Sequence, residues 1–198
     1  MAIPSQKKTF GLETCRDLLE KLTWEYQELT RTPPHDVTAL IYRAFNGFVT
    51  AFHIADWVWE AMTETQRDRL RAEWDVPLLN KSDFVGELRR RERCFALCRE
   101  IATASKHFVV NQTPDDTVDA VTSLTVSLVT AGGEPVTTNE GEPVGVFKAI
   151  LKVIDGEQER FAVDVLEILL YFWSEFIYER DIGAIRLTSC GGLDVAEP

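Results

Sequence analysis

The segment CREIATASKHF, residues 98–108, carries several side chains that could do chemistry together. On a helix, Glu100, Thr103 and His107 share one stripe, and Arg99 flanks it. A histidine can transfer a proton while an arginine or lysine holds an anionic group such as a phosphate. The candidate residues of this segment are Arg99, Glu100, Thr103, Lys106 and His107.

A second segment, FHIADWVWE at residues 52–60, places His53, Asp56 and Trp57 on one helical stripe. One interpretation is a structural hydrogen bond from His53 to Asp56, since buried polar groups usually have partners for stability alone. The other is that this stripe and the His107 stripe face each other across a helical bundle. In that case the residues of both segments form one polar pocket.

Several kinds of site are not predicted. Ser105 beside His107 lacks the strand-turn-helix pattern of a nucleophile elbow, and the sequence has no glycine-rich phosphate loop. Cys94 and Cys98 share a helix face but supply too few ligands for a metal site. We therefore expect no metal and no cofactor, and we interpret all four cysteines as thiols.

The net charge of -11 argues against broad electrostatic binding to nucleic acid. Residues 84–108 are an exception, because five Arg and one Lys face three Glu there. The sequence has neither an apolar signal core nor an apolar run long enough to span a membrane. These patterns predict a cytoplasmic protein without a membrane partner.

Apolar residues recur at helical spacing in four main segments, residues 12–30, 36–62, 82–108 and 164–180, with a short charged helix at 65–74. Asp36, Ser82 or Asp83, and Asp164 are the expected N-caps. The four segments predict a helical bundle.

Between residues 108 and 164 the apolar pattern alternates instead, which predicts strands at 121–130, 144–154 and 160–162. Asp155-Gly156 is a two-residue hairpin signal. The predicted fold is mainly α, a four-helix-type bundle with a small antiparallel β-meander inserted before the last helix. We expect one domain, residues 1–198, with its helical core at 10–108 and 164–180, the β insertion at 117–162 and a flexible tail at 183–198.

CREIATASKHF, FHIADWVWE and the late FWSEFIYE together resemble a family of uncharacterised bacterial helical proteins. That family has a similar Asp-Trp helix, an R-x-I-x-x-x-x-K-H helix and a closing Phe-Trp helix. More remotely, the arrangement is similar to the HEPN superfamily, whose members are small helical bundles that often dimerise and in many cases cut RNA without a metal. Their motif is R-x(4–6)-H, whereas seven residues separate Arg99 from His107 here.

The resemblance implies a homodimer that acts on or binds RNA in a defence or toxin-type context. It also implies catalytic roles for Arg99, which would hold the phosphate, and for His107, which would act on a ribose hydroxyl. The other candidates, His53, Asp56, Trp57, Glu100, Thr103 and Lys106, would be binding residues. Two alternatives stay open at this point: a non-catalytic dimerisation or interaction module, and a small-molecule or metal binder in the pocket between the second and third predicted helices.

Overall fold

The structure of the protein is a computed structural model that describes residues 10–104, 117–127 and 146–183. The described helices are α1 (Cys15–Arg31), α2 (Val37–Ala61), α3 (Glu64–Trp74), α4 (Lys81–Arg91), α5 (Arg93–Ala104) and α6 (Ala162–Glu179). The strands are β1 (Val118–Ser127), β2 (Val146–Asp155) and β3 (Gln158–Phe161). The prediction of a mainly helical fold with a small antiparallel sheet before the last helix is confirmed. None of these six helices combines the length and the apolar character needed to cross a membrane.

The helices α2 and α5 pack side by side in opposite directions. The phenyl rings of Phe52 on α2 and Phe95 on α5 are in contact, with centroids 5.8 Å apart. One turn further along α5, the Cys98 thiol donates to the carbonyl of Phe48, which is one turn earlier on α2. The C-terminal end of α5 therefore lies beside the N-terminal half of α2.

The closing helix α6 runs parallel to α2 and packs closely against it. The indole Nε1 of the fully buried Trp173 donates to the carbonyl of Ala51 at 2.9 Å. Gly47, one turn earlier on α2, allows the close approach, because a Cβ there would lie 3.0 Å from Leu166 Cδ1. The helix α1 packs against both α2 and α6, and α1, α2, α5 and α6 together form the predicted bundle.

The predicted third helix, residues 82–108, is two helices, α4 and α5, with a break at Glu92. Glu92 is extended, with φ -121° and ψ 104°, and its backbone N–H caps α4 by bonding the carbonyl of Leu88. Its side chain then accepts from the backbone N–H of Cys94 at 2.9 Å, so the same residue begins α5. Glutamate is not among the residues that usually begin helices, which is why the sequence pattern did not reveal this break.

Two of the three predicted N-cap assignments are wrong. Asp36 caps α2 as predicted, by accepting from the N–H of Ala39. Asn80, rather than Ser82 or Asp83, caps α4 in a capping box with Asp83. Asp164 lies inside the first turn of α6, because β3 runs directly into that helix and Phe161 occupies the cap position without a side-chain bond.

The sheet is an antiparallel meander in the order β1-β2-β3. Val118 pairs with Asp155 at one end of the first hairpin, and Lys152 pairs with Phe161 in the second. Gly156, with φ +61°, and Glu157 form the tight turn between β2 and β3. Residues 131–143, between the first two predicted strands, and most of the predicted tail lie outside the described residues.

A group of aromatic side chains fills the end of the bundle where α2 and α6 finish. We call it the aromatic end, and its members are Trp59, Trp74, Phe84, Trp173 and Phe176. Neighbouring centroids are 5.5 to 6.1 Å apart. Arg67, Arg91 and Arg180 stack over Trp59, Trp74 and Phe176 at 4.5, 4.9 and 4.4 Å. The arginines cover the rings where these meet solvent.

Candidate functional site

Arg99 and Glu100 are neighbours on α5, and Glu100 approaches Arg89 of α4. Arg99 Nη1 donates to Glu100 Oε1 at 2.7 Å, and Nη2 of Arg89 lies 3.6 Å from the same oxygen. The side chains of Arg99 and Glu100 are only 19% and 11% exposed, whereas Arg89 is 37% exposed. We call these three residues the arginine cluster. It holds two guanidinium groups around one carboxylate and so carries an excess positive charge.

One donor of the arginine cluster is buried and unsatisfied. Arg89 Nε is shielded from solvent and has no hydrogen-bond partner among the described residues. A buried donor without a partner destabilises the protein unless water or a ligand satisfies it. The sequence pattern predicted Arg99 and Glu100 as site residues but did not reveal Arg89, because it lies on a separate helix.

The other arginines of the basic segment are engaged by carboxylates. Glu87 Oε2 accepts from both Arg90 and Arg91, and Arg93 forms an ion pair with Asp155 of β2. The positive charge that the sequence concentrates here is therefore largely compensated within the fold. Extended electrostatic binding of a nucleic acid along this strip is disfavoured.

His53 and Asp56 form a second polar group, together with Lys81 from the start of α4. His53 Nδ1 lies 3.4 Å from Asp56 Oδ2, and Lys81 Nζ lies 3.1 Å from Asp56 Oδ1. The hydrogen bond with His53 and the ammonium of Lys81 hold the pKa of Asp56 below its ordinary value of 3.8. We call these three residues the His53 cluster. Lys81, which joins α2 to α4 here, was not predicted from the sequence.

Thr103 and the His53 cluster lie at different levels of the bundle. His53 lies next to Phe52, at the level of Phe95 near the start of α5. Thr103 is eight residues further along α5, about 12 Å along the helix axis, and α5 runs toward the opposite end of α2. Thr103 is therefore well removed from His53. Lys106 and His107 lie outside the described residues, so the predicted pocket containing both histidines stays a prediction.

Trp57 lies on the side of α2 that faces the beginning of α1. With Asp56 and Glu60 it lines a cavity of about 310 Å³, whose other side is lined by Glu13, just before α1, and Cys15, the first residue of α1. Although carboxylates are numerous here, the described residues contain no group of three or more His, Cys, Asp or Glu arranged to hold a metal ion.

Three cysteines are buried thiols, as predicted: Cys15, Cys94 and Cys98. Burial raises the pKa of the Cys94 thiol to about 11 and also raises the pKa of Cys15 and Cys98. A thiol that stays protonated is a poor nucleophile. These side chains pack as small apolar groups of the core.

A buried carboxylate between α1 and α2 also escaped the sequence analysis. Glu25 is 6% exposed and forms an ion pair with Lys21, which in turn donates to Thr50 Oγ1 at 2.6 Å. Helical spacing places Glu25 near the apolar face of α1, but spacing cannot show that Lys21, one turn earlier, forms an ion pair with it.

Comparison of the chain with family models, with curated proteins and with solved structures found no match.

Proposed function

We propose that this chain is a HEPN-like protein that binds RNA and cuts it, in the cytoplasm and in a defence or toxin-type context. The observation that carries the proposal is the arginine cluster. Arg99 is mostly shielded from solvent and is held in one orientation by Glu100, on a helix whose last described residue, Ala104, precedes His107 by three positions in the sequence. A guanidinium held in place loses little conformational freedom when it binds a phosphate.

The chemistry divides between two residues. Arg99 binds the scissile phosphate and stabilises the charge that develops on its oxygens. His107 removes the proton from the ribose 2′-hydroxyl, whose oxygen forms a bond to phosphorus while the bond to the 5′-oxygen breaks. The leaving 5′-oxygen takes a proton from water and His107 returns its proton to the solvent, so the products are a 2′,3′-cyclic phosphate and a 5′-hydroxyl.

Because carboxylates compensate the charge of the neighbouring arginines, we expect the RNA to be bound only through one or two phosphates near Arg99. A protein that contacts one or two phosphates of a single strand shows a plot of log K against log salt with a slope of about -1. A slope of roughly -4 or steeper would mean that an extended basic surface binds the RNA instead.

The test is cleavage of a fluorescently labelled single-stranded RNA by the purified full-length chain. We expect His107→Ala to lower the cleavage rate by roughly 10²- to 10⁴-fold and Arg99→Lys to weaken it as well, because lysine lacks the planar fork. Arg90→Ala is the matched control, since Arg90 is 62% exposed on the adjacent helix. Equal cleavage by the wild type and His107→Ala would refute the catalytic proposal.

A second candidate is a non-catalytic module that forms a homodimer, and one observation favours it. The outer face of α6 exposes Ile168, Tyr171 and Tyr178, which are 41%, 65% and 53% exposed. These residues share one helical stripe, and aromatic side chains are enriched in protein interfaces. Ile168 and Tyr171 are neighbours on this face, whereas the exposed Glu175 lies between Tyr171 and Tyr178, so the face combines large apolar side chains with one charged position, as the edge of an interaction site does.

Sedimentation velocity separates this candidate from the first. We expect Tyr171→Lys to shift a dimer toward monomer while the chain keeps a cooperative thermal transition. Tyr42→Lys is the control, because Tyr42 is also 65% exposed but lies on α2. A monomeric wild type at micromolar concentration, or an equal shift in both variants, would count against dimerisation through α6.

A further inference from the structure

The sheet and the bundle are joined tightly at one end of β2 and loosely at the other. Val153 is 1% exposed and packs into the core, and the nearby Asp155 forms an ion pair with Arg93 of α5. Toward the other end of β2, Leu151 and Ala149 are only half-buried. There the backbone N–H of Ala149 donates to the carbonyl of Pro34, in the connection between α1 and α2, at 2.7 Å.

Two apolar cavities open where the sheet diverges from the helices, one on each side of Leu151 and Ala162. The smaller, about 150 Å³, lies against α2 and α5. The larger, about 380 Å³, lies between the end of α1, β2 and the start of α6. Among the residues that line the larger cavity are Leu29, Leu40, Ala149, Phe161 and Val163. We call the larger cavity the sheet cleft.

We propose that the sheet cleft binds a neutral, mainly hydrocarbon small molecule that carries at most one hydroxyl group. An apolar cavity of about 150 Å³ can hold benzene, so the sheet cleft has room for a molecule at least about twice that size. Ligand sites are typically apolar concavities with few polar groups, and the composition of the sheet cleft matches this description.

The polar groups near the sheet cleft explain why the ligand is neutral. None of its described lining residues is charged. Thr32 Oγ1 donates to the carbonyl of Glu28 and accepts from Arg43, whose Nη1 also lies 3.0 Å from Glu28 Oε2. Arg43 is thus already paired, and an anionic ligand would lose its hydration without gaining a partner.

One hydroxyl group can still be accommodated. Thr30 is exposed at the mouth of the sheet cleft, and its Oγ1 donates to the carbonyl of Gln27. Since a hydroxyl oxygen has two acceptor lone pairs, Thr30 Oγ1 can still accept a hydrogen bond from a ligand hydroxyl. The hydrocarbon part of the ligand then extends inward toward Leu151.

The test uses octan-1-ol and octanoate as probes for the full-length chain at pH 7.5, by isothermal titration calorimetry. Both probes have the same chain length, but only octanoate carries a charge at this pH. We expect saturable binding of octan-1-ol and at least tenfold weaker binding of octanoate. No saturable heat with octan-1-ol, or equal affinity for both probes, would overturn the proposal.

Two blocking variants locate the site. Ala149→Phe and Val163→Phe fill the sheet cleft from β2 and from α6, and each should weaken octan-1-ol binding at least tenfold. The matched control is Ala120→Phe, which places the same ring on β1 beside the smaller cavity. Each variant is first checked for a cooperative thermal transition. Two blocking positions are used so that the test can still be made if one of the two variants does not fold. Unchanged affinity in a folded blocking variant would overturn the assignment to the sheet cleft.

Discussion

The aromatic end and the sheet cleft lie at opposite ends of the same bundle and are built differently. At the aromatic end, rings from α2, α3, α4 and α6 contact one another, and arginines cover their outer faces. At the sheet cleft, half-buried side chains such as Leu151 border open apolar volume. One end of the bundle is therefore filled by contacting side chains, while the other retains apolar space.

The largest expected effect tests this difference directly. Trp173→Ala should lower the free energy of unfolding by about 3–5 kcal/mol, because it leaves a large cavity and removes the hydrogen bond to Ala51. Leu151→Ala at the sheet cleft should cost about 1 kcal/mol, since that side chain is only partly buried. Chemical denaturation measures both. Equal losses would contradict the contrast between the two ends.

An intermediate effect tests the arginines that cover the rings. Arg67 stacks over Trp59 at 4.5 Å and donates to the carbonyl of Trp59 at 2.8 Å. Arg67→Ala should therefore cost roughly 1–2 kcal/mol of unfolding free energy, from lost packing as well as lost charge. The control, Arg69→Ala, removes an exposed arginine from the same helix and should cost less than about 0.5 kcal/mol. Similar losses in the two variants would show that the stacking contributes nothing.

The smallest effect concerns the His53 cluster, which links α2 to α4 near the aromatic end. Because the folded protein lowers the pKa of Asp56, its carboxylate stabilises the fold above the ordinary pKa of 3.8. That contribution is lost as the pH falls through the lowered pKa. Since Asp56 is 39% exposed, solvent screens it, and Asp56→Asn should cost less than about 1 kcal/mol at pH 7.

The pH dependence distinguishes this effect from a packing change. The stability difference between the wild type and Asp56→Asn should shrink as the pH falls below about 4 and through the lowered pKa of Asp56. Gln27→Ala, at an exposed position on α1 that carries no ionisable group, is a control that should show no such dependence. A difference that stays constant from pH 7 to pH 2 would mean that the carboxylate charge is not its source.

Much of the fold could be predicted because helix and strand periodicity are local. The stripe of α2 and its N-cap at Asp36 were predicted to within about one residue, and the hairpin signal at Gly156 lies at a turn. The break at Glu92 could not be predicted. It depends on side-chain and backbone hydrogen bonds at Glu92 and on the separate packing of Arg91 and Phe95.

The candidate site was predictable only in part. Arg99 and Glu100 are sequence neighbours, so their proximity followed from the helix, and the hydrogen bond from His53 to Asp56 followed from its spacing of three residues. Arg89 and Lys81 were missed because each approaches its partner through the packing of α4.

The element types, the acidic net charge with its basic segment, and the polar stripes on α2 and α5 follow from the amino-acid sequence alone. Three features depend on the packing of the folded chain: α5 runs away from His53, Glu87, Asp155 and Glu100 engage the arginines, and a cleft lies beneath the sheet. Periodicity specifies which face of each helix is buried, because a side chain's direction follows from its position in the helix. The direction of neighbouring helices and the gaps between them depend on how side chains that are distant in sequence fit together.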